Sequence, residues 1–288
     1  MAGRGLMEQL SGRTFLVTGA NTGIGLATTE ALAARGATVV MACRSVQRAE
    51  TTRAEIIRRT GNTDVELLEL DLDDLDSVRA CAAAFLASGR PLHVLINNAG
   101  MAGRRGLTAS GFELAFGTNH VGPFLLTGLL LDRLRADAPG RIVNVASDAH
   151  YRATGIDFDA VRQPTRTRTG FAEYGVSKLA NVLHAQELAR RLAGTGVTTY
   201  ALHPGVVASD VWRSVPWPIR PLIKLRMRST EDGAQTSLYC ATSPDVASDS
   251  GSYYEESAPK VPAAVATPEL AGQLWEHSQA WTGWSDSA

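Results

Sequence analysis

The sequence predicts a single α/β domain built on a doubly wound parallel sheet with helices on both faces. Short apolar runs alternate with helical patterns of ten or more residues through the first half of the chain. Some runs are apolar at every position, as in 39–42 (VVMA), which is typical of strands buried on both faces. The 288 residues contain neither an internal repeat nor an interdomain linker, so we expect one domain over residues 1–288.

The predicted elements follow a regular order along the chain. Strands are expected at 14–18, 38–42, 65–70, 92–96, 141–146 and 197–202. Helices are expected at 24–35, 45–59 and 75–86, with one last short helix after Thr267. Because parallel strands are joined by right-handed crossovers, this order gives the Rossmann arrangement.

The composition excludes several classes of protein. The net charge of −1 gives no overall field that would attract nucleic acid or an anionic membrane. The three cysteines are too scattered for a disulfide framework or a metal site, which favours a reducing, cytoplasmic location. Residues 1–11 lack the apolar core of a signal peptide, and the longest apolar stretch, 124–131, is far short of the ~20 residues of a membrane span. We therefore expect no membrane anchor.

A glycine-rich turn, 18–25 (TGANTGIG), lies between the first strand and the first helix. Glycines there allow a sharp turn, a close approach of backbone N–H groups to a pyrophosphate and tight packing of the helix on the sheet. The alternative is a tight turn without a ligand, because glycine-rich turns are common. The predicted cofactor-binding residues of the turn are Gly19, Asn21, Gly23, Ile24 and Gly25.

The ends of the next three strands complete the predicted nucleotide site. At the second strand, where an NAD site usually has an acidic residue, Arg44 is present, and a guanidinium suits the 2′-phosphate of NADP. Arg44 could instead be a solvated residue that opens the next helix. Asp71 and Leu72 could contact the adenine, although Asp71 could also cap the next helix, as could Asp73 or Asp74 in its place. The cofactor is expected to lie against Asn98, Ala99 and Gly100.

A tyrosine and a lysine four residues apart, Tyr174 and Lys178, open a later helical pattern. Residues at i and i+4 share one helix face, so both side chains are expected to point the same way. A neighbouring ammonium favours the phenolate and would lower the pKa of Tyr174 from its usual value near 10. Such a hydroxyl could act as a general acid or base, although the pair alone is common on protein surfaces.

Six motifs in one order resemble those of the classical short-chain dehydrogenases/reductases. They are TGANTGIG, NNAG, the asparagine of TNHVGPF, the serine of VNVASDAH, YGVSK and HPGVV. The stretches ACR, SKLANVL and GTGVTTYALHPGVV look most like the retinol dehydrogenase branch. The resemblance extends to about Tyr254 and implies an NADP-dependent oxidoreductase that interconverts a carbonyl and its alcohol by hydride transfer.

The resemblance also implies roles for individual residues. Tyr174 would be the catalytic acid/base, and Lys178 would lower its pKa and bind the nicotinamide ribose. Ser147 would hold the substrate oxygen, and Asn119 would position a water that relays protons from Lys178. Pro204, Gly205 and Val207 would cradle the nicotinamide. Ser147 could alternatively cap the end of a strand, and Asn119 could make a bond within a bent helix. His150 follows Ser147 and could line a substrate pocket, but a lone histidine is more often structural and is interpreted so here.

The segment after HPGVV is expected to form a substrate lid at about 208–228. Its apolar residues predict a bulky hydrophobic ketone, aldehyde or alcohol, unless they pack on the core or on another subunit; they are Val211, Trp212, Val215, Trp217, Ile219, Leu222 and Ile223. Two other functions stay open. An extended-type epimerase or dehydratase would show a different glycine order, and a non-catalytic NADP-binding protein would typically lack the tyrosine or the lysine.

The 27 positions from Ser147 to Tyr174 are about twice the separation found in the simplest family members. The additional segment includes 163–170 (QPTRTRTG), a basic and polar stretch that is expected to form a surface loop. In many members the catalytic helix and its neighbour form a tetramer interface, which an insertion here would obstruct. We therefore expect a monomer or homodimer rather than a tetramer.

Overall fold

A computed structural model describes residues 9–205 and 229–286. Within them, one sheet contains eight strands in the order β3-β2-β1-β4-β5-β6-β7-β8. The strands are β1 (Thr14–Thr18), β2 (Thr38–Cys43), β3 (Val65–Glu69), β4 (Val94–Asn97), β5 (Gly140–Val145), β6 (Val197–His203), β7 (Tyr253–Glu255) and β8 (Ala258–Lys260). Neighbouring strands are parallel except β8, which is antiparallel to β7. The predicted Rossmann fold with its parallel sheet is confirmed, and the antiparallel strand β8 is added at one edge.

Helices lie on both sides of the sheet, and all but the last are found between strands in the chain. They are α1 (Gly23–Ala33), α2 (Val46–Thr60), α3 (Leu75–Ala87), α4 (Leu114–Phe116), α5 (Gly122–Ala136), α6 (Phe171–Arg191), α7 (Thr230–Thr242) and α8 (Pro268–Thr282). The predicted ends of α2 and α8 are supported by side-chain caps: Ser45 accepts from the N–H of Arg48, and Thr267 accepts from the N–H of Leu270.

The two faces of the sheet pack against different helices because side chains alternate along each strand. Phe15 and Val17 of β1 join a core cluster that also contains Leu32 of α1, whereas Leu16 joins a cluster on the opposite face with Leu130 of α5. Both clusters are buried, which explains why the central strands are apolar at consecutive positions.

A π-helical turn, Gly117–Val121, joins α4 to α5, so that 114–136 forms one continuous helix. This helix is longer than the apolar stretch at 124–131 suggested. By length and composition it could cross a membrane, but 78% of its apolar window is buried inside the fold. It therefore has the burial of a core helix.

The last helix, α8, packs along α6. Arg191 of α6 lies over the ring of Trp275, with its guanidinium carbon 4.4 Å from the ring centre. Beyond α8, the ring of Trp284 lies on Gly128 of α5, and Asp286 forms two hydrogen bonds with Arg135, at 2.9 and 3.0 Å. The C-terminal part of the chain thus covers helix surface of both α5 and α6.

Candidate active site

A cleft of about 980 Å³ runs along the carboxyl ends of the parallel strands, where ligands bind in open α/β sheets. It brings together nearly all the residues that the sequence proposed. Those that line it are Gly19, Asn21, Gly23, Ile24, Gly25, Arg44, Asp71, Leu72, Asn98, Ala99, Gly100, Ser147, Tyr174, Lys178, Pro204 and Gly205. Asn119 lies behind the wall of the cleft. Val207 and the proposed lid fall outside the described residues.

The glycine turn at one end of the cleft is required sterically. Gly19 has a φ of 65°, in the left-handed region that favours glycine. A Cβ on Gly25 would lie 2.3 Å from the backbone oxygen of Gly19 and 2.4 Å from Nδ2 of Asn98. The first turn of α1 contains no acidic residue, and Thr22 forms no side-chain cap. The backbone N–H groups of this turn are therefore free to donate hydrogen bonds to an anionic ligand.

Two asparagines at the end of β4 tie the strands together below the cleft. Nδ2 of Asn98 donates to the backbone oxygen of Thr18 at 2.8 Å, and Nδ2 of Asn97 donates to Oδ1 of Asn144 at 3.0 Å. The backbone N–H groups of Asn98 and Ala99 both donate to Oγ1 of Thr18, at 3.0 and 2.9 Å. These bonds fix the floor of the cleft.

The other end of the cleft contains the hydroxyls of Ser147 and Tyr174. Ser147 follows β5 and donates a hydrogen bond to Oδ1 of Asp148 at 3.0 Å. It also caps the next short 3-10 helix, since its Oγ accepts from the N–H of Ala149 at 3.2 Å. Tyr174 lies in the first turn of α6, where a hydrogen bond from the Ser147 side chain would favour its phenolate. Ser147 therefore has the capping role considered above and also faces Tyr174.

Lys178 lies one turn after Tyr174 and points to the same place, as the i, i+4 spacing predicted. Its Nζ lies 5.7 Å from the centre of the Tyr174 ring and donates to the backbone oxygen of Val145 at 2.7 Å. A Cβ on Gly100 would lie 3.2 Å from that Nζ and 3.3 Å from Oδ1 of Asn119. Because Gly100 has no side chain, Nζ of Lys178 can lie close to the backbone that follows β4.

Asn119 occupies the π-helical turn and bonds across to other elements. Its Oδ1 accepts from the N–H of Met101 at 2.8 Å, and its Nδ2 donates to Met101 O and Ser177 Oγ, both at 2.9 Å. It therefore fixes the loop after β4 against α6 rather than making a bond within its own helix. Its part in a water relay stays a prediction.

Comparisons with known proteins agree with this geometry. A family model described as short chain dehydrogenase matches residues 13–158. Human retinol dehydrogenase 12 is 49% identical over 251 residues, which cover 86% of this chain and 79% of the human protein. The chain belongs to the short-chain dehydrogenase family. Its relatives place it in the retinol dehydrogenase-like branch, and its chemistry is oxidoreduction by hydride transfer.

Two further relatives extend the match over nearly the whole chain. Bovine dehydrogenase/reductase SDR family member 13 is 46% identical over 287 residues, 97% of this chain and 75% of the bovine protein. A crystal structure of a protein from Mycobacterium paratuberculosis has a TM-score of 0.80 and 34% identity and covers 98% of each chain. The resemblance therefore continues through the elements after residue 158.

Burial controls the electrostatics of the dehydrogenase's catalytic end. It raises the pKa of Tyr174 to about 12, and the nearby Ser147 hydroxyl, which favours the phenolate, only partly opposes this. It also lowers the pKa of Lys178 to about 7. Desolvation thus disfavours the charged forms of both side chains, and the expectation that Lys178 lowers the pKa of Tyr174 stays a prediction.

At the adenosine end, two arginines line the dehydrogenase's cleft where the sequence singled out one. Arg44 and Arg48 are both exposed, and Arg48 lies one turn into α2. Arg44 precedes the N-cap of α2 and Arg48 lies in its first turn, so the start of a helix directly after Arg44 was the signal that could have identified Arg48. Asp71 does not cap α3, because Asp74 does so through its bond with the N–H of Asp76.

Two further residues lie next to the predicted site residues: Asp148, which the sequence did not indicate, and His150, which was not predicted to be a site residue. Asp148 lines the cleft as the hydrogen-bond acceptor of Ser147, a contact that depends on the turn after β5. His150, by contrast, is buried and structural as interpreted. Its Nδ1 is bonded to the backbone oxygen of Ser147 at 2.6 Å, and its Nε2 accepts from the N–H of Ala263 at 3.1 Å.

Proposed function

We propose that this dehydrogenase uses NADPH to reduce hydrophobic ketones or aldehydes, with Tyr174 as the general acid. The observation that carries the proposal is the meeting of the Ser147 and Tyr174 hydroxyls at the inner end of the cleft, with Lys178 beside them. Two adjacent hydroxyls can hold one carbonyl oxygen, and one of them can protonate it as negative charge develops.

The residues along the cleft fit a nicotinamide dinucleotide. The glycine turn presents backbone N–H groups for the pyrophosphate, and Gly100 leaves room next to Lys178 for a ribose. Pro204 and Gly205, at the end of β6, line the cleft on the nicotinamide side. When bound, the cofactor supplies the hydride that the protein cannot.

The pKa of Tyr174 favours reduction as the working direction. A phenol with a pKa near 12 stays protonated at neutral pH, so that it can donate its proton to a carbonyl oxygen. Oxidation of an alcohol needs a base at the same position, and burial makes the phenolate costly. Lys178 donates to Val145 and keeps the inner wall of the site in place.

Arg44 and Arg48 support NADP over NAD. Both lie at the end of the cleft where the adenosine ribose would bind, and both present guanidinium groups that suit a phosphate. Asp71 and Asp73 also line this end of the cleft. They follow β3 rather than β2, where the acidic residue of an NAD site usually lies.

An apolar substrate fits the part of the cleft beside Tyr174. Met101, Ala102, Leu114 and Phe171 line it there, and an apolar guest gains free energy as it leaves water. The names of the relatives point the same way, since retinol is a long apolar alcohol.

The test is NADPH consumption over a panel of ketones and aldehydes graded by size and polarity. Hydrophobic carbonyls should give the highest kcat/KM, and Tyr174→Phe should lower it by about 10²–10⁴-fold while NADPH binding persists. Ser147→Ala is the companion variant and should lower kcat with little effect on NADPH affinity. Unchanged turnover in Tyr174→Phe, or a preference for small polar sugars, would contradict the proposal.

A further inference from the structure

The basic stretch that the sequence placed in a surface loop is joined to a second loop beside the active-site cleft. Thr165 connects the two: its Oγ1 accepts from the N–H of Gly106 at 3.0 Å, and its N–H donates to Gly106 O at 3.3 Å. The same hydroxyl donates to the carboxylate of Glu113, which is only 2% exposed. A buried carboxylate therefore fixes both loops from below.

A second carboxylate holds the rest of the stretch. Glu173 accepts from the N–H groups of Arg166 and Thr167, at 3.0 and 2.8 Å, and from the Thr167 hydroxyl. Gly170 packs so closely that a Cβ there would lie 2.8 Å from the backbone oxygen of Arg104. The two loops thus form one ordered surface around residues 104–107 and 165–171.

These contacts engage backbone groups and threonines, so that four arginine side chains point outward. We call Arg104, Arg105, Arg166 and Arg168 the arginine rim; all four are exposed. Arg105 has one long bond, 3.5 Å, to the backbone oxygen of Thr165. Across residues 9–205 and 229–286, none of the four lies within ion-pair distance of a carboxylate. The positive charge of the rim is therefore left for a partner.

The acidic groups packed near the rim do not neutralise it. The carboxylate of Glu113 accepts from Thr165 and from the N–H of Phe116 in α4. That of Glu173 accepts from the N–H groups of Arg166 and Thr167. Asp73 is attracted to Arg104 and also to Arg44, without an ion pair to either. Because the whole chain has a net charge of −1, four clustered arginines are a strong local departure that the overall charge conceals.

Two large apolar side chains lie within the same surface. Leu107 is 44% exposed and follows Arg104 and Arg105, and Phe171 is 36% exposed and follows Gly170. Arg104 and Phe171 also line the cleft. The rim, its apolar residues and the entrance beside Tyr174 therefore lie on one side of the molecule.

We propose that the arginine rim docks the mouth of the active-site cleft on an anionic lipid surface, from which the apolar carbonyl substrate enters. The substrate part of this inference rests on the proposed function, whereas the docking does not. Clustered basic residues bind anionic headgroups, and exposed apolar side chains beside them insert at the interface. An acidic protein could match the charge, but it would need its own apolar patch placed over Leu107 and Phe171, whereas a membrane offers anionic headgroups and apolar chains side by side over any such surface.

The test is cosedimentation of the full chain with vesicles of phosphatidylcholine, with and without 30% phosphatidylserine. Because each basic residue near such a surface contributes about fivefold in affinity, Arg166→Gln/Arg168→Gln should weaken binding to the anionic vesicles about 25-fold. The matched control is Arg58→Gln/Arg59→Gln on α2, which removes the same charge elsewhere and should bind like the wild type. Leu107→Ser should weaken binding severalfold, and NADPH turnover of a water-soluble carbonyl should be unchanged in all these variants.

Three outcomes would overturn the docking proposal. In the first, the wild type does not bind anionic vesicles. In the second, the control loses as much affinity as the rim variant. In the third, soluble polyglutamate displaces the protein from the anionic vesicles and Leu107→Ser binds the vesicles like the wild type. That result would assign the rim to an acidic protein. Lower kcat/KM for free carboxylated carbonyls in the rim variant, without vesicle binding, would assign it to an anionic substrate instead. Vesicle binding with no carbonyl turnover would refute the proposed function and leave the docking intact.

Discussion

Nζ of Lys178 donates a 2.7 Å hydrogen bond to the backbone oxygen of Val145, and the lysine is only 3% exposed. Burial lowers its pKa from the usual 10.5 to about 7. The unfolded chain therefore holds this proton over a pH range in which the folded chain has released it. Since the unfolded state binds more protons there, Lys178 makes stability rise with pH above about 7.

We predict that the free energy of unfolding of the ligand-free protein rises by about 1–2 kcal/mol between pH 7 and 8.5 because of Lys178. Lys178→Met should lose this slope, since it leaves an unbranched apolar side chain at the position. Urea unfolding at the two pH values measures it. The range stops below pH 9 because burial raises the pKa of Cys43 to about 11, which lowers stability as the pH rises further.

The control for this experiment is Lys260→Met. Lys260 is exposed and paired with Glu255, so its loss should leave the slope between pH 7 and 8.5 unchanged. An identical pH dependence in wild type and Lys178→Met would mean that the buried ammonium stays charged throughout this range, contrary to the prediction.

The adenosine end of the cleft gives a prediction about cofactor preference. Arg44→Ala/Arg48→Ala should weaken NADPH binding about 10–100-fold, since hydrogen bonds to a charged group contribute about 1.5–3 kcal/mol. The affinity for NADH should change little, because NADH has no 2′-phosphate. Fluorescence titration of both cofactors measures the difference. Arg58→Ala, on the same helix but outside the cleft, is the control, and an equal loss for NADH and NADPH would count against the assignment.

The correctly predicted strands are those whose own sequence shows which of their side chains are buried. The first strands were placed to within about two residues because Val39, Val40 and Met41 are apolar on both faces of a doubly covered sheet. The glycine turn and the Tyr174–Lys178 face were foreseen for a similar reason, since local spacing determines their geometry.

What the sequence missed depends on contacts between distant parts of the chain. The buried face of α7 is made of small residues, such as Ala234, Ser237 and Cys240, which give no clear apolar period. All of β8 is exposed, so no buried apolar pattern marks it in the sequence. The pKa shifts of Tyr174 and Lys178 and the grouping of Arg104 with Arg166 arise only when separate elements meet.

Gly25 offers a steric test of the glycine turn. Gly25→Ala should destabilise the fold by about 1–3 kcal/mol and abolish tight NADPH binding, because its Cβ would overlap Gly19 O and Asn98 Nδ2. Gly272→Ala is the matched control, since nothing lies within 4 Å of that Cβ and alanine favours a helix by about 0.5–1 kcal/mol. Thermal unfolding and NADPH titration measure both variants. A Gly25→Ala protein with wild-type stability and affinity would show that the turn can relax.

The C-terminal contacts predict the assembly state. Trp284 packs on Gly128 of α5, where a Cβ would lie 2.5 Å from its ring, and α8 lies along α6. The chain thus covers with its own residues the helix pair that forms a tetramer interface in many family members. We predict a monomer or a homodimer by light scattering coupled to size-exclusion chromatography.

The variant that tests this arrangement is Trp284→Ala. It should destabilise the protein by about 1–3 kcal/mol, because it removes a half-buried aromatic side chain, and should raise the average mass as the helix surface of α5 is uncovered. Leu86→Ala, at an exposed leucine outside this contact, should change neither quantity. A wild-type mass equal to four chains would contradict the prediction, since a tetramer through α5 and α6 requires that Trp284 and α8 leave the surface they cover.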